Sequence, residues 1–516
     1  MTLLAEVDTI ATPDIAWSAL SPFLVMVVGA TVMLGFSGLL PRRGPRRWTG
    51  LFTAFTVATA LGTVVACIVL WRDLPDTGTR TVVGGAYAVD GFSLFLIGVI
   101  ALGVIIAALL TDGYLRREDL EGPEPYLLYL ASAAGGIIMA SATDLIVMFL
   151  GLEILSLAAY VLAGVHRRRL RSGEAAIKYF VLGSFSSAFF LYGIALIYGA
   201  TGATSMISIA EFLSENRLTD EGLLLAGIGM LLVGFGFKVA AAPFHSWTPD
   251  VYQGAPSPVT AFMATAVKAA GFAGLLRVVV VTFSSYRYDW QPLIYALAVA
   301  SLLVGAVLAV VQTDVKRMMA YSSINHAGFM LVAVAAGTIE GVTATLFYLA
   351  TYTIIVGGTF GVITVVGRRG DGHHQLSDYG GLARREPLLA LALTVFLLAQ
   401  AGTPLTSGFL AKFYAVNAVV EAGSSWLGLV AMLSAVISAF LYLRIVLAMY
   451  AGAQDPDEAD GAEPATSPVR RVKAPMAAKV TIALALVATI GIGLVPDPLT
   501  KTARDATPDL VADDDR

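Results

Sequence analysis

The sequence has 516 residues, of which 57% are hydrophobic and only 14% are charged, and its mean hydropathy is +0.77. Soluble domains carry roughly 25% charged residues, so this composition excludes a soluble globular protein and indicates a polytopic membrane protein. The formal net charge of −4 says little, because the distribution of Lys and Arg between the two sides of the membrane matters more. A single cysteine, Cys67, excludes an intrachain disulfide and any cysteine-ligated cluster or structural zinc built by this chain alone.

Apolar runs of about 18 or more residues are long enough to cross a bilayer as helices. The first such run, residues 17–40, is too long for the core of a signal peptide and follows an acidic segment, so we expect it to remain as the first span. The sequence predicts an all-α membrane protein with about 14 transmembrane helices. The predicted spans are 17–40, 49–71, 89–111, 125–142, 144–165, 174–200, 221–241, 258–282, 290–311, 316–336, 343–367, 387–418 (interrupted), 425–450 and 476–496.

Basic residues are concentrated in the loops that follow odd-numbered spans. Loops rich in Lys and Arg lie on the cytoplasmic side. The alternation therefore predicts a multi-pass protein of the bacterial inner membrane with both termini on the outer, periplasmic side. The residues that set it are Arg42, Arg43, Arg46, Arg47, Arg116, Arg117, Arg167, Arg168, Arg169, Arg171, Lys316, Arg317, Arg368, Arg369, Arg384, Arg385, Arg470, Arg471 and Lys473.

Four segments differ in composition from the spans. Residues 79–89 carry β-rich pieces on both sides of a Gly-Gly pair, which predicts a β-hairpin, and residues 207–215 are predicted to form a short surface helix. Residues 454–467 and 505–516 are acidic and lack apolar periodicity. We predict a cytoplasmic linker at the first of these and a frayed tail at the second.

The stretch from Gly234 to Phe262 interrupts its apolar surroundings with a lysine, a histidine and four prolines. Lys238 ends a long apolar run, and a lysine at the centre of a membrane helix costs roughly 2.5 to 3.5 kcal/mol. The prolines break the helix at a depth where only protein or a wet cavity can cover the exposed backbone. We interpret span seven as a broken helix that carries an ion site, with a purely structural lysine as the alternative. His245 in the break has an ordinary pKa near working pH, and its alternative role is to tie the loop to backbone carbonyls.

Three further ionisable residues fall inside predicted spans. Glu153 lies near the middle of span five, where a carboxyl group is ion-paired or protonated, and a pair that only joins two helices is the alternative to function. Lys178 is four residues into span six, so extension of its side chain to the interface competes with a functional role. Lys268, in the middle of span eight, is flanked by small residues that would admit another helix or water, which favours function.

The second half supplies counterparts. The apolar run 393–413 is interrupted by Gly402, Pro404 and Gly408, and Lys412 follows this break. Broken helices of this kind build ion sites in transporters. Span twelve is therefore predicted to be broken like span seven.

Two pieces of the chain relate these breaks. Residues 243–246 and 404–407 share a proline, a bulky apolar residue and a serine at equal offsets, in spans of opposite direction. This match predicts two inverted five-helix repeats, spans four to eight and nine to thirteen. His326 in span ten, beside two serines and an asparagine, would continue a water path between the halves. The predicted divisions are residues 1–123 (spans one to three), 124–282 (first repeat), 283–450 (second repeat), 451–475 (acidic linker) and 476–516 (span fourteen and tail).

Several of these motifs occur together in one known family. They are GLEILSLAAYVLAG, EAAIKYFVLGSFSSAFFLYG, FKVAAAPFHSWTPDVYQGAPSPVTAF, KRMMAYSSINHAGF and GFLAKFY. The chain resembles the antiporter-like membrane subunits of respiratory complex I, and most closely the N-type subunits of bacterial NADH:quinone oxidoreductases. The resemblance extends from about span two to span thirteen. M-type relatives have a glutamate where this chain has Lys412, and L-type relatives continue into a long lateral helix.

The resemblance implies roles for individual residues. Glu153 would pair with Lys238, and Lys268 and Lys412 would continue a hydrated polar axis along the membrane plane. Lys178 and His245 match family positions whose roles are less settled. The implied activity is proton translocation by a non-redox subunit of a translocating enzyme complex, driven by quinone reduction in other subunits.

The cofactor and partner expectations follow from the same resemblance. We expect no cofactor in this chain, and NAD, FMN, iron–sulfur clusters and quinone in partner subunits. The expected partners are neighbouring membrane subunits and the lipid bilayer, and not nucleic acid. One rival is a subunit of a multi-subunit cation/proton antiporter or membrane hydrogenase of the same fold. A rival of another class is a structural scaffold whose buried charges only pair.

Overall fold

The computed structural model describes residues 15–39, 47–75, 78–120, 122–216, 218, 220–451 and 474–507. The predicted linker 454–467 lies outside the described residues, and so does most of the predicted tail. The same holds for six of the basic residues that set the predicted orientation, namely Arg42, Arg43, Arg46, Arg470, Arg471 and Lys473.

The described chain is almost entirely helical. Its helices are α1 (Ser21–Leu39), α2 (Arg47–Arg72), α3 (Gly91–Glu118), α4 (Glu124–Ser141), α5 (Leu145–Ala163), α6 (Leu170–Thr201), α7 (Met206–Glu215), α8 (Gly222–Val239), α9 (Trp247–Gly254), α10 (Ser257–Thr282), α11 (Arg287–Val310), α12 (Val315–Ala336), α13 (Ile339–Val366), α14 (Pro387–Ala401), α15 (Ser407–Glu421), α16 (Ser425–Tyr450), α17 (Met476–Leu494) and α18 (Asp497–Asp505). Single helical turns cover Ser284–Tyr286, Leu376–Tyr379 and Leu382–Arg385. The predicted hairpin is confirmed as β1 (Thr79–Val82) paired antiparallel with β2 (Tyr87–Asp90), and α7 confirms the predicted surface helix.

Twelve helices of the described chain are long and apolar enough to cross a membrane, which makes this a multi-pass membrane protein. The two remaining predicted spans fall on α4 and on the pair α14 and α15. α4 has 18 residues but is diluted by Tyr, Ser and Gly. α14 ends at Ala401 and α15 begins at Ser407, so neither piece is long enough by itself. The count of fourteen spans stays a prediction.

Burial separates central from peripheral helices. α3, α10, α12 and α13 are buried along most of their length, whereas α1, α2, α16 and α17 expose apolar side chains over most of theirs. α13 lies at the centre, where it packs against α3, α10, α12, α14, α15 and α17. Apolar side chains on the outer faces suit a lipid environment, and the polar groups of the central helices are sealed from it.

The two halves share a local feature. Asp144 accepts hydrogen bonds from the first turn of α5, and Asp314 caps α12 in the same way. Each aspartate also forms an isolated antiparallel bridge, Asp144 with Ser205 and Asp314 with Gln375. The repeats themselves stay a prediction, and this match supports them because a repeated unit would place equivalent caps and bridges in both halves.

Candidate functional site

Lys238 lies at the end of α8, where Ala240 takes a left-handed conformation (φ 62°) and terminates the helix. Its side chain is only 3% exposed. The Nζ atom donates a hydrogen bond of 2.8 Å to the Ser156 hydroxyl and lies 6.0 Å from the centre of the Tyr179 ring. The ammonium of Lys238 is thus buried against a neutral hydroxyl and an aromatic ring.

Glu153 lies on α5, one turn before Ser156. Its Oε1 atom is buried and has no hydrogen-bond partner among the described residues. Among the described residues, Glu153 forms no ion pair with Lys238, whose ammonium donates to Ser156 instead. The pairing that the resemblance implies is therefore indirect here, because Ser156 occupies the position beside the ammonium.

Lys268 lies in the middle of α10, directly after a π-helical segment, Met263–Val267. Such segments are rare and often mark functional sites. The Nζ atom donates a hydrogen bond of 2.6 Å to the backbone carbonyl of Ser323 and lies 5.5 Å from the centre of the Tyr352 ring. Lys268 therefore joins the first half of the chain to α12 in the second half.

Close packing brings the side chain of Lys238 next to the helix that carries Lys268. A Cβ atom added at Gly271, one turn after Lys268, would lie 3.2 Å from the Cγ atom of Lys238. Only a glycine leaves the Lys238 side chain this close to the backbone of α10.

His326 occupies the interior of α12. Its Nδ1 atom lies 2.7 Å from the Tyr348 hydroxyl, and its Nε2 atom lies 3.1 Å from the Tyr442 hydroxyl. Tyr442 continues the network through a 2.7 Å hydrogen bond with Ser322, and Ser322 donates to the Gln400 carbonyl oxygen over 3.1 Å.

Lys412 lies on α15 beside the break that separates this helix from α14. Its Nζ atom donates a 3.0 Å hydrogen bond to the carbonyl of Ala401, the last residue of α14, and lies 4.8 Å from the Phe329 ring. Carbonyls at a helix end carry partial negative charge and favour a cation. Gly402 follows with φ +95°, and a side chain there would approach the Lys412 Cδ atom to 3.1 Å.

The structure thus brings five of the predicted residues into one buried series across the two halves. In order they are Glu153, Lys238, Lys268, His326 and Lys412. Hydroxyl, carbonyl and aromatic groups lie between successive members. This arrangement can pass protons between neighbours if water or side-chain rotation closes the remaining gaps.

Lys178 and His245 lie apart from this series. Lys178 is 41% exposed and binds Glu174 and Asp250, each at 2.7 Å. α6 begins at Leu170, so Lys178 lies further from the helix start than the sequence predicted. His245 is half-buried between α8 and α9, its Nδ1 atom has no hydrogen-bond partner in the described chain, and burial lowers the pKa of its ring below the ordinary value.

Sequence reasoning missed the tyrosines and the amide that connect the ionisable residues. Tyr348 and Tyr352 are four residues apart on one face of α13, and Tyr442 and Gln400 come from α16 and α14. The available signal was a pair of tyrosines at helical spacing inside an otherwise apolar run. Ser156 carried no signal, because isolated serines are common in membrane helices.

A second charged cluster also escaped the sequence analysis. Asp371, in the loop before α14, is fully buried and lies 3.2 Å from Lys316, 3.1 Å from Arg169 and 2.9 Å from His374. Ser257, at the start of α10, donates its hydroxyl and its backbone N–H to the same carboxylate. Burial alone would raise the pKa of Asp371, but these partners hold it well below its ordinary value.

Comparison with known proteins agrees with this architecture. Residues 142–438 match the family described as NADH:quinone oxidoreductase/Mrp antiporter, transmembrane. NADH-quinone oxidoreductase subunit N of Trichlorobacter lovleyi is 43% identical over 406 residues, which are 79% of this chain and 82% of that protein. The subunit N of Chloroflexus aggregans is 40% identical and covers 95% of this chain and 97% of its own length.

A solved structure shows the same likeness. A chain of respiratory complex I from Thermus thermophilus with bound aureothin superposes with a TM-score of 0.75 at 33% identity, over 93% of this chain and 98% of that chain. The fold is that of the antiporter-like class of membrane subunits. The chain belongs to the NADH:quinone oxidoreductase/Mrp antiporter transmembrane family, and the relatives that cover most of its length are subunits N.

Proposed function

We propose that this chain is a membrane-arm subunit of an NADH:quinone oxidoreductase and that it translocates protons through the series Glu153, Lys238, Lys268, His326 and Lys412. The observation that supports this most directly is the burial of three lysines without a carboxylate partner. Each ammonium binds one neutral oxygen instead. A buried ammonium of this kind is costly, and a membrane protein that only needed stability would place apolar residues there.

The mechanism is electrostatic. When one lysine of the series is protonated, its positive charge disfavours protonation of the next lysine, because like charges repel strongly where the dielectric constant is low. The Glu153 charge favours the protonated form of Lys238, and moving or neutralising that charge releases the proton toward Lys268. His326 and Tyr442 then connect Lys268 to Lys412. Moving one charge against 100 mV costs roughly 2.3 kcal/mol. A change in the charge of one close neighbouring group can supply this free energy.

Other parts of the proposal concern the assembly. Electron transfer takes place in partner subunits, which hold NAD, FMN, iron–sulfur clusters and quinone. This electron transfer supplies the energy that moves or neutralises the negative charge of Glu153. The face that carries the basic loops is cytoplasmic, and both termini are on the outer side of the bacterial inner membrane. The family description and the relatives' names support this assembly.

The test is Lys238→Ala in the assembled complex, with NADH oxidation and proton transport measured in the same membrane vesicles. We expect proton transport per NADH oxidised to fall at least several-fold, because the site that receives the first proton is gone. Lys501→Ala removes an exposed lysine from α18 and is the matched control, which should transport protons normally. Normal transport in a correctly assembled Lys238→Ala complex would support a structural scaffold and contradict the proposal.

A second candidate is a subunit of a multi-subunit cation/proton antiporter, because the matched family includes Mrp antiporters. Both functions would use the same buried lysines. Purification of the chain with its native partners distinguishes them, because only a complex I subunit would copurify with NADH-oxidising, iron–sulfur proteins.

A further inference from the structure

A pocket of about 210 Å³ lies between the first turns of α6 and the end of α9, on the face that carries the basic loops. Its lining is mainly charged and polar. The polar lining residues are Arg171, Glu174, Lys178, Asp250 and Gln253. Such a pocket would hold water at the N-terminal end of α6, where the predicted spans meet the cytoplasm.

The Asp250 carboxylate lines this pocket and binds two cationic side chains, Lys178 and Arg317. Its Oδ2 atom lies 2.7 Å from the Lys178 Nζ atom, and its Oδ1 atom lies 2.6 Å from an Arg317 guanidinium nitrogen. Arg317 also donates to the Gln253 side-chain oxygen over 3.3 Å. Lys178 belongs to the first half of the chain and Arg317 to the second, so the carboxylate joins both halves at the pocket.

The inner side of the pocket leads toward Lys238. Tyr179 follows Lys178 on α6, is fully buried and stacks on Trp247 with 4.5 Å between ring centres. The same tyrosine ring lies 6.0 Å from the Lys238 Nζ atom. Trp247 opens α9, three residues before Asp250. One aromatic pair therefore connects the charged lining of the pocket with the first lysine of the buried series.

A second pocket, of about 140 Å³, occupies equivalent positions in the other half. Asp250, Gln253 and Gly254 each precede, by 164 positions, Tyr414, Asn417 and Ala418 of this pocket. Arg171, Glu174 and Ala175 each precede, by 169 positions, Glu340, Thr343 and Ala344. The two pockets thus lie at positions that the predicted repeats make equivalent, and among the described residues only the first has a carboxylate held between two cations.

We propose that the pocket between α6 and α9 is a proton-uptake mouth and that Asp250 is its gate, held closed by Lys178 and Arg317. This inference rests on the proposed function. Release of Asp250 from Arg317 opens the pocket and leaves a carboxylate free to attract a proton beside the Tyr179–Trp247 pair. Arg317 acts as a positioning residue, because it holds Asp250 and, among the described residues, contacts no member of the buried series.

The link to the buried series runs through α12. Arg317 and its neighbour Lys316 both hold α9, Arg317 at its middle through Asp250 and Lys316 at its C-terminal end through a 2.6 Å hydrogen bond to the Ala255 carbonyl. His326 is nine residues further along the same helix, about 13.5 Å at 1.5 Å per residue. A shift of α12 that accompanies a charge change around His326 would therefore move the clamp on Asp250.

The first experiment blocks the pocket from the cytoplasmic side. Cys67 is the only cysteine of this chain and is buried, so a Cys67→Ser, Gln253→Cys chain in the assembled complex offers one target thiol in this subunit. Inverted membrane vesicles are treated with a positively charged, membrane-impermeant methanethiosulfonate. We expect proton transport per NADH to fall at least several-fold on labelling and to return after reduction of the mixed disulfide.

Two matched variants control this experiment. Arg168→Cys places a thiol on the same face outside the pocket, and Asn417→Cys places it at the equivalent position of the second pocket, which the proposal puts on the opposite side of the membrane. Treatment should leave proton transport by both unchanged. Complete labelling of Gln253→Cys without loss of transport would overturn the assignment of the mouth, while Lys238→Ala separately decides whether the relay exists.

The gate is tested by the rate of labelling at Gln253→Cys. Adding Arg317→Gln should raise this rate several-fold, because Asp250 loses one clamp, whereas Arg317→Lys keeps a cation there and should leave the rate close to the parent value. If Arg317→Gln does not assemble, Lys178→Gln loosens the other clamp and should raise the rate in the same way. Equal rates in the parent and in every assembled variant would overturn the gate.

Discussion

The central lysines Lys238, Lys268 and Lys412 each donate to an oxygen that carries no net charge, namely a serine hydroxyl and two backbone carbonyls. The charged groups at the helix ends behave differently. Arg277 forms a 2.8 Å ion pair with Asp90, and Lys316 pairs with Asp371. A neutral acceptor stabilises an ammonium by less than a carboxylate does, so the proton on a central lysine is easier to remove. At the residue scale, the acceptor therefore distinguishes the three lysines of the proposed relay from the cations that pair with carboxylates.

Ser156→Ala tests this difference. Loss of the hydroxyl leaves the protonated Lys238 without its hydrogen bond, and an unsatisfied buried partner costs about 1–3 kcal/mol. We expect proton transport to fall several-fold but less than in Lys238→Ala, with the complex assembled. Ser214→Ala on the exposed end of α7 is the control. Transport equal to the parent would show that the Ser156 hydroxyl contributes nothing to the lysine.

At the scale of elements, two spans are interrupted beside a buried lysine. α8 stops at Val239 and α14 stops at Ala401, and in each case a lysine lies within a few residues of the interrupted backbone. The free carbonyls at such an end are acceptors that a continuous helix would have used internally. Lys412 takes one of them, the Ala401 carbonyl. A continuous helix at this position would therefore remove the acceptor on which the buried cation depends.

Gly408→Ala tests the second break. The new Cβ atom would overlap the Ala399 backbone carbonyl, so the start of α15 would have to move away from the end of α14. Forced overpacking of this kind typically costs 1–3 kcal/mol, roughly a decrease of a few degrees in the melting temperature. We expect lower thermal stability and weaker proton transport together, because Lys412 moves with α15.

Gly491→Ala in α17 provides the comparison for this variant, because a Cβ atom there meets nothing within 4 Å. It should match the parent in melting temperature and in transport. A Gly408→Ala protein as stable and active as Gly491→Ala would contradict the close approach of α14 and α15.

On the scale of the whole molecule, Asp371 joins the two halves. Its carboxylate binds Arg169 and Ser257 from the first half and Lys316 and His374 from the second. Removal of one member of a buried charged network leaves the others uncompensated, at a cost of about 3–5 kcal/mol. The pocket clamp at Asp250 lies on the same side, and both of these contacts involve the first turn of α12, through Lys316 and Arg317.

Asp371→Asn should therefore lower the free energy of unfolding of the purified protein by about 3–5 kcal/mol. The melting temperature should fall with it. The pKa of Asp371 is held well below its ordinary value in the folded protein. The stabilisation from the Asp371 carboxylate is therefore complete above the pKa that Asp371 has in the unfolded protein, and it is lost only as the pH falls through the pKa of the folded protein. Ionisation of this carboxylate should thus leave the stability difference between Asp371→Asn and the parent constant between about pH 5 and pH 8. Asp73→Ala, which removes an exposed carboxylate, should change little.

Local composition was sufficient for much of the fold. The apolar runs predicted where helices would lie, the Gly-Gly pair predicted the hairpin, and the prolines around Lys238 predicted the interruption after α8, because each of these depends on a few neighbouring residues. Glu153, Lys238, Lys268 and Lys412 were equally visible, since a lysine or glutamate inside an apolar run stands out against its neighbours. Asp371 and Lys316 were not, because their burial depends on the packing of distant segments.

The sequence by itself determined that this is a membrane protein and that a row of ionisable residues falls inside its apolar spans, because hydropathy and helix breaking are properties of adjacent residues. Only the tertiary structure decided the partners of those charges. Ser156 lies 82 positions from Lys238, and Tyr442 lies 116 positions from His326. Contacts between such distant positions depend on how whole helices pack, and a serine or tyrosine beside a buried lysine looks in the sequence like any other small or aromatic residue of a membrane helix.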